Sequence, residues 1–260
     1  MKTKHTMAAL SVALLTMAGT GFTAFAQDDT WQFGVTIPVW AAGINGDATV
    51  RGQKHDVDLS FNDLKDHLDA SFSLGLEARK GKFGLYTGVG YLKFSADGSL
   101  PGGGKADEKL QFLILDAGVS YQLVRTSSEH PFILEATLGI RYWGTKNELK
   151  VKDGAGTVLF DGDKNRDLLD PMIGLRGSQY LTQKCHLDFA GDIGGFGISD
   201  NQSDLDWSAT GLVSYDFAKW FTLSGGYKAL ALDASKGSGT SKNGVNIVMN
   251  GFLIAAKFKF

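Results

Sequence analysis

The sequence predicts an all-β protein: a closed antiparallel transmembrane β-barrel of ten strands, with eight as the alternative, carrying long extracellular loops and short periplasmic turns. Three observations predict it. The closing stretch sets an apolar side chain at every second position, Phe252, Ile254, Ala256, Phe258 and Phe260, with Lys257 and Lys259 in the gaps. One apolar and one polar face is the pattern of a strand lying between lipid and a polar interior. Past the first 26 residues, no run reaches the roughly 18 apolar residues that a spanning helix needs. Any span is then made of strands, and hydrocarbon cannot hydrogen-bond a bare backbone, so the strands must close on themselves. Third, the links between strand-like segments alternate short and long, as in outer-membrane barrels. The 34 glycines and 4 prolines agree, but they also fit a soluble β-sandwich, so the alternation carries the prediction.

In chain order, Lys2 and Lys4 form a basic start, Met7 to Ala18 an apolar stretch, and Ala24-Phe25-Ala26 a small-residue cleavage pattern before Gln27. This is the form of a secretory signal. The expected organisation is a cleaved signal peptide, 1–26, followed by the barrel, 27–260, in a Gram-negative outer membrane. No cysteine lies near the cut, which argues against a lipid anchor. Removing Lys2 and Lys4 leaves 24 basic against 28 acidic side chains, a formal charge of −4. A weakly acidic chain has no electrostatic footprint for nucleic acid.

Period-2 alternation marks ten segments, roughly 30–41, 70–80, 83–95, 110–124, 132–145, 167–181, 186–198, 206–217, 220–232 and 245–260. Lys80-Gly81-Lys82, Thr182-Gln183-Lys184 and Ala218-Lys219 read as tight periplasmic turns, with 125–131 slightly longer. The polar links 42–69, 96–109, 146–166, 199–205 and 233–244 read as extracellular loops, and both ends of the barrel fall on the short-turn side.

Alternation also assigns faces. In 132–145, Phe132, Leu134, Ala136, Leu138, Ile140 and Tyr142 face lipid, while Glu135, Thr137, Gly139 and Arg141 face inward. In 167–181, Ile173, Leu175 and Leu181 face outward against Asp170, Gly174, Arg176 and Ser178. Segment 83–95 is ambiguous: Leu85, Val89 and Tyr91 and the opposite set Tyr86, Leu92 and Phe94 are both apolar, which allows a bulge. Trp31, Tyr215, Phe217, Trp220, Phe258 and Phe260 fall at the lower strand ends and Tyr91, Tyr142 and Trp207 at the upper, forming two interfacial girdles.

The inward positions gather charge. Glu77, Asp116, Glu135, Asp170, Asp188 and Asp192 meet Arg79, Arg141, Arg176, Lys228 and Lys257. Such groups cannot sit unpaired in a low-dielectric interior, so they either line water or bond one another. Eight strands leave an interior just filled by side chains and sixteen leave a channel, so ten strands alone do not decide between a pore and a plug. Near balance of acids and bases points to mutual neutralisation and an occluded lumen.

The loops hold two local patterns. Ser60 and Asp63 match a capping box for a short helix in the first loop, with Phe61, Leu64 and Leu68 on one face, covering the strand tops or closing over the mouth. The run Asp161, Asp163, Asn165, Asp167 spaces oxygen ligands as a calcium loop does. Arg166 stands where that loop needs glycine and Met172 where it needs a bidentate Glu, so a solvated loop without metal is the expectation. The stretch 150–160, turning at Asp153, extends its two strands above the membrane.

Histidines give no catalytic grouping. His55 and His67 lie in the first loop, and His130 and His186 at the periplasmic end, where ordinary solvation is expected. A rim hydrolase would need His67 beside a loop carboxylate. No catalytic residue, cofactor or metal is assigned. The single cysteine, Cys185, lies beside a periplasmic turn and has no partner for an internal disulfide.

Several short runs resemble small bacterial outer-membrane barrels of the OmpA/OmpW-like superfamily, largely uncharacterised: DVDLSFNDL at 56–64, GLEARKG at 75–81, GIRYW at 139–143, DPMIGLRG at 170–177, GDIGGFG at 191–197 and GYKAL at 226–230. The terminal pattern Phe252, Ile254, Phe258, Phe260 resembles the signal read by the barrel-assembly machinery. The resemblance implies lipid, lipopolysaccharide and that machinery as partners, and supplies no activity. The expected role is structural or surface-interacting and non-enzymatic, with small solutes or surface ligands as further partners. A narrow porin-like channel is the alternative, and an outer-membrane hydrolase a third reading.

Overall fold

The structure, a computed structural model, describes residues 30–99 and 103–260. The expected signal peptide lies outside the described residues. Among those described, eleven strands form one antiparallel sheet. They are β1 (Gln32–Val50), β2 (Gln53–Leu59), β3 (Leu68–Lys80), β4 (Phe83–Ser99), β5 (Lys105–Arg125), β6 (Phe132–Lys152), β7 (Val158–Tyr180), β8 (Cys185–Gly195), β9 (Leu205–Ala218), β10 (Phe221–Lys236) and β11 (Asn243–Lys259). β11 pairs with β1 from Gly34↔Lys259 to Thr49↔Gly244 and closes the ring. Ten strands make the barrel, and β2 hangs on the upper half of β1 as an extra hairpin strand. No helix among the described residues is long and apolar enough to cross a membrane.

The ten expected segments are the ten barrel strands, several of them longer than expected. The β6–β7 hairpin runs to a turn at Asp153, whose N–H bonds Thr157 O at 2.9 Å, so 146–152 and 158–166 are paired strand rather than loop. The Asp161–Asp167 run is therefore part of a strand, not a calcium-type loop. Its acids alternate along one face, with Asp161 paired to Lys150 at 2.8 Å and Asp167 accepting from Tyr142 Oη at 2.8 Å. Among the described residues no cluster of His, Cys, Asp or Glu is arranged to hold a metal.

The first loop is likewise strand-rich. β1 turns into β2 through Arg51 (φ 51°) and Gly52 (φ 78°), the two positive φ values a tight hairpin turn demands. β2 then leads into α1 (Phe61–Lys65), capped as the sequence predicts by reciprocal bonds between Ser60 and Asp63. Leu64 is buried, but the helix ends at Lys65, so Leu68 belongs to β3 rather than to a helical face. β3 pairs with β1 only from Gln32↔Arg79 to Thr36↔Gly75. Above that level the two strands part, and the β2–α1 excursion fills the mouth beside them.

Outside, Phe33, Ile37, Val39, Leu76, Leu85, Leu138, Ile140, Ile173, Leu175, Val213, Phe252 and Ile254 are all exposed. A continuous apolar belt of this size has no place in water and is the surface a bilayer covers. At the lower edge Trp220 stacks on Phe258 at 6.2 Å and Trp31 on Phe33 at 6.3 Å, in the expected girdle. β4 pairs with β5 without a shift, so 83–95 holds no bulge. Both of its faces are apolar because Leu92 and Phe94 enter a buried apolar cluster in the upper lumen.

Candidate functional site

The lumen has three layers, each built from inward-facing positions of several strands. Lowest is a buried ion cluster. Arg176 on β7 donates through Nη2 to Glu77 Oε1 at 2.6 Å and through Nε to Glu135 Oε2 at 2.7 Å. Lys257 donates to Glu77 Oε2 at 2.7 Å, and Arg79 pairs with both Glu135 and Glu77. β3 and β7 stand four places apart in a ring of ten, so the Arg176–Glu77 bond crosses the lumen almost along its diameter. Ser120 accepts a further bond from Arg176 at 2.9 Å, and the guanidinium lies 5.6 Å over the Tyr86 ring.

The second layer centres on Arg141. It reaches Asp116 at 2.8 Å, Asp192 at 3.1 Å and Asp206 at 2.6 Å, on β5, β8 and β9. The other oxygen of Asp206 accepts from Trp143 Nε1 at 2.7 Å. Lys228 sits 5.5 Å over the Trp40 ring, whose own N–H donates to Gly251 O at 3.1 Å. Three carboxylates around one guanidinium leave Lys228 as the second cation of the layer, which keeps the burial of so much charge affordable only while every partner is present.

The predicted lumen residues thus resolve into separate groups. Glu77, Arg79, Glu135, Arg176 and Lys257 form one and Asp116, Arg141, Asp192 and Lys228 belong to another. Asp170 joins neither. Fully buried, it accepts from Ser203 N and Oγ, both at 2.8 Å, and so pins the 196–204 loop inward. Asp188 lies lower, bonded to Ser178 Oγ and Ser214 Oγ at 2.5 Å each and to His186 Nδ1 at 2.9 Å.

Sequence reasoning missed Asp206, Asp216 and the position of His186. Expected in solvent, His186 is fully buried, stacked on Tyr180 at 4.7 Å, with Asp216 3.7 Å from its Nε2. The physical reason is parity: His186 shares the inward face of β8 with Asp188, and Asp216 shares that of β9 with Ser214, which was the available signal. His67 is exposed and forms no ion pair among the described residues.

The third layer is apolar. Trp40, Leu92, Phe94, Leu110, Ile114, Leu168, Leu230, Leu232 and Met249 fill the upper lumen. Above them a cavity of about 850 Å³ opens at the extracellular mouth, between the upper ends of β1, β5–β7, β10 and β11 and the 196–204 loop.

No protein-family model matches the chain, and no curated protein matches it by sequence. Solved structures do. The outer-membrane protease OmpT of Escherichia coli matches with a TM-score of 0.52 at 11% identity, covering 93% of this chain and 100% of that one. The attachment invasion locus protein Ail of Yersinia pestis matches at 0.38 and 11%, covering 88% and 99%. Neisserial surface protein A matches at 0.27 and 16%, covering 88% and 97%. The chain has the fold of the small bacterial outer-membrane β-barrels.

Proposed function

We propose that this protein is a non-conducting outer-membrane barrel that acts at its extracellular face, in a surface-interaction or structural role and without enzymatic chemistry. The observation that carries this reading is the Arg176–Glu77 bond of 2.6 Å across the ring. A channel needs a water path past Arg141, Arg176 and Asp192. Here Arg176 is bonded to Glu77 across the ring, Arg141 is bonded to Asp192 and Asp206 two and three strands away, and a large apolar layer lies above them. Supporting a non-enzymatic role, His55, His67 and His130 are exposed and apart, and His186 is sealed in the lower lumen. Kinship with the OmpA/OmpW-like barrels, insertion by the barrel-assembly machinery through the Phe252–Phe260 pattern, and contact with lipid and lipopolysaccharide belong to the same reading.

Planar-bilayer recording of the refolded protein tests it, with an Arg141→Ala/Arg176→Ala variant alongside and heat-modifiable gel mobility as the folding control. A silent wild type and a leaking variant are expected. Stable wild-type openings whose ion selectivity shifts in the variant would establish the narrow channel instead.

A further inference from the structure

We infer that the mouth cavity is a binding site for a small anionic amphiphile, one apolar chain ending in a carboxylate-like group. The inference rests on the closed lumen proposed above, which gives the cavity a floor. At about 850 Å³ the space falls within the roughly 300–1,000 Å³ of small-molecule sites. Its depth is apolar: Leu110, Phe112, Trp143, Leu168, Leu232 and Met249 line it. Trp143 commits its N–H to Asp206 and so presents ring carbon. Apolar side chains aimed into an aqueous mouth are costly to leave wet, and their burial by a chain of methylenes is the favourable outcome.

The lip supplies the second half of the recognition. On β7, Lys164 and Arg166 share the inward face with Leu168, so two cations stand in file directly above the apolar floor. Among the described residues neither forms an ion pair or side-chain hydrogen bond. The neighbouring charges are already engaged: Lys236 with Asp200 at 3.2 Å, Asp167 with Tyr142, and Asp204 with Ser235 N and Oγ at 2.9 Å. Burial presses on Arg166, whose pKa is lowered by desolvation against the opposing pull of Asp204. An anion at the lip compensates both cations while its chain fills the depth.

The walls define the route. β5–β6–β7 and β10–β11–β1 are continuous ladders, and the 196–204 loop bridges β7 to β10 through Leu169 N to Asn201 O and Asp204 N to Asp233 O, both at 2.8 Å. The opening lies at the lip, among exposed Lys236, Gly237 and Ser241, so the ligand is a free amphiphile arriving from outside rather than a lipid of the bilayer.

Equilibrium dialysis of labelled dodecanoate and dodecanol against the protein in phosphatidylcholine nanodiscs, with empty discs subtracted, tests the inference. Saturable dodecanoate binding is expected, weakened roughly tenfold or more by Lys164→Glu/Arg166→Glu, the scale of one charge-assisted bond. Dodecanol binding should ignore that change, while Val245→Trp, which fills the cavity from its partly buried wall, should weaken both. Gel mobility confirms that each variant is folded. No saturable binding above empty discs, or binding indifferent to both variants, overturns the proposal. Loss of dodecanoate binding in discs containing phosphatidylglycerol, at matched salt, would assign the cavity to a bilayer lipid and also overturn it. Conductance without amphiphile tests the floor and saturable uptake tests the cavity, so the two readings fail separately.

Discussion

Glu77 on β3 gathers three cations, Arg176 from across the lumen at 2.6 Å and Arg79 at 3.4 Å on one carboxylate oxygen and Lys257 from β11 at 2.7 Å on the other. Neutralising it leaves Arg79, Arg176 and Lys257 facing Glu135 alone. Glu77→Gln should cost about 3–5 kcal/mol, the range for breaking a buried ion pair by removing one partner. Adding Lys257→Met should restore part of the loss, because an uncompensated buried charge is removed with it. Urea unfolding of the lipid-reconstituted protein, followed by tryptophan fluorescence, reads both. A Glu77→Gln cost below about 1 kcal/mol would mean that water reaches this layer and screens it.

Asp170 and Ser203 carry the same logic to a loop. Asp170→Ala orphans the Ser203 N–H and hydroxyl, both buried, at a cost of about 1–3 kcal/mol. The ladders β5–β6–β7 do not depend on that bond. The expected result is therefore a folded barrel in which protease newly cuts within 196–204. Unchanged protection would show that Leu169 N to Asn201 O suffices to hold the loop.

The outer face was legible because lipid imposes one rule on every strand: Leu138, Ile140, Ile173 and Leu175 must be apolar, so period 2 survives in the sequence. The inner face obeys no single rule. Its lower half needs charge that is paired, and its upper half is apolar like the outside, so around Leu92 and Phe94 the two faces read alike. Which acid meets which base depends on ring closure, and no local pattern says that Glu77 faces Arg176, 99 positions away. The cavity was invisible for a related reason. Lys164 and Arg166 lie in a stretch whose outward acids mimic a solvated loop, and only strand pairing turns those cations inward.

Tyr86 makes Gly118 necessary. Its ring and hydroxyl occupy the space in which a Cβ there would stand, and its hydroxyl also crowds Gly139, where the Ala117 carbonyl lies nearer still. The two glycines let the ring lie beneath Arg176. Gly118→Ala should cost about 1–3 kcal/mol as overpacking. Tyr86→Ala in that background should recover part of it, since the Leu138 carbonyl also crowds the site. The same unfolding assay distinguishes the two, and a neutral Gly118→Ala would place Tyr86 elsewhere in solution.

The cap of α1 gives the first loop a pH dependence. Asp63 accepts from Ser60 N at 2.9 Å and from Ser60 Oγ at 2.5 Å, and these bonds hold its carboxyl below the usual range. A carboxyl lowered on folding contributes order above its unfolded pKa, near about 4, and loses it as pH falls through the folded value. The Leu64 and His67 amides, bonded to Ser60 O and Leu64 O, should therefore lose exchange protection as pH drops from about 6 toward about 3, after correction for intrinsic rates. Asp63→Asn should flatten that dependence, because the amide keeps an acceptor without titrating. Leu64 is buried in the upper core, so the loss decides the role of the helix. If mouth-cavity binding of dodecanol, which does not titrate in this range, persists while α1 frays, the helix covers the parted β1 and β3. If binding falls in step with it, α1 holds the mouth in shape.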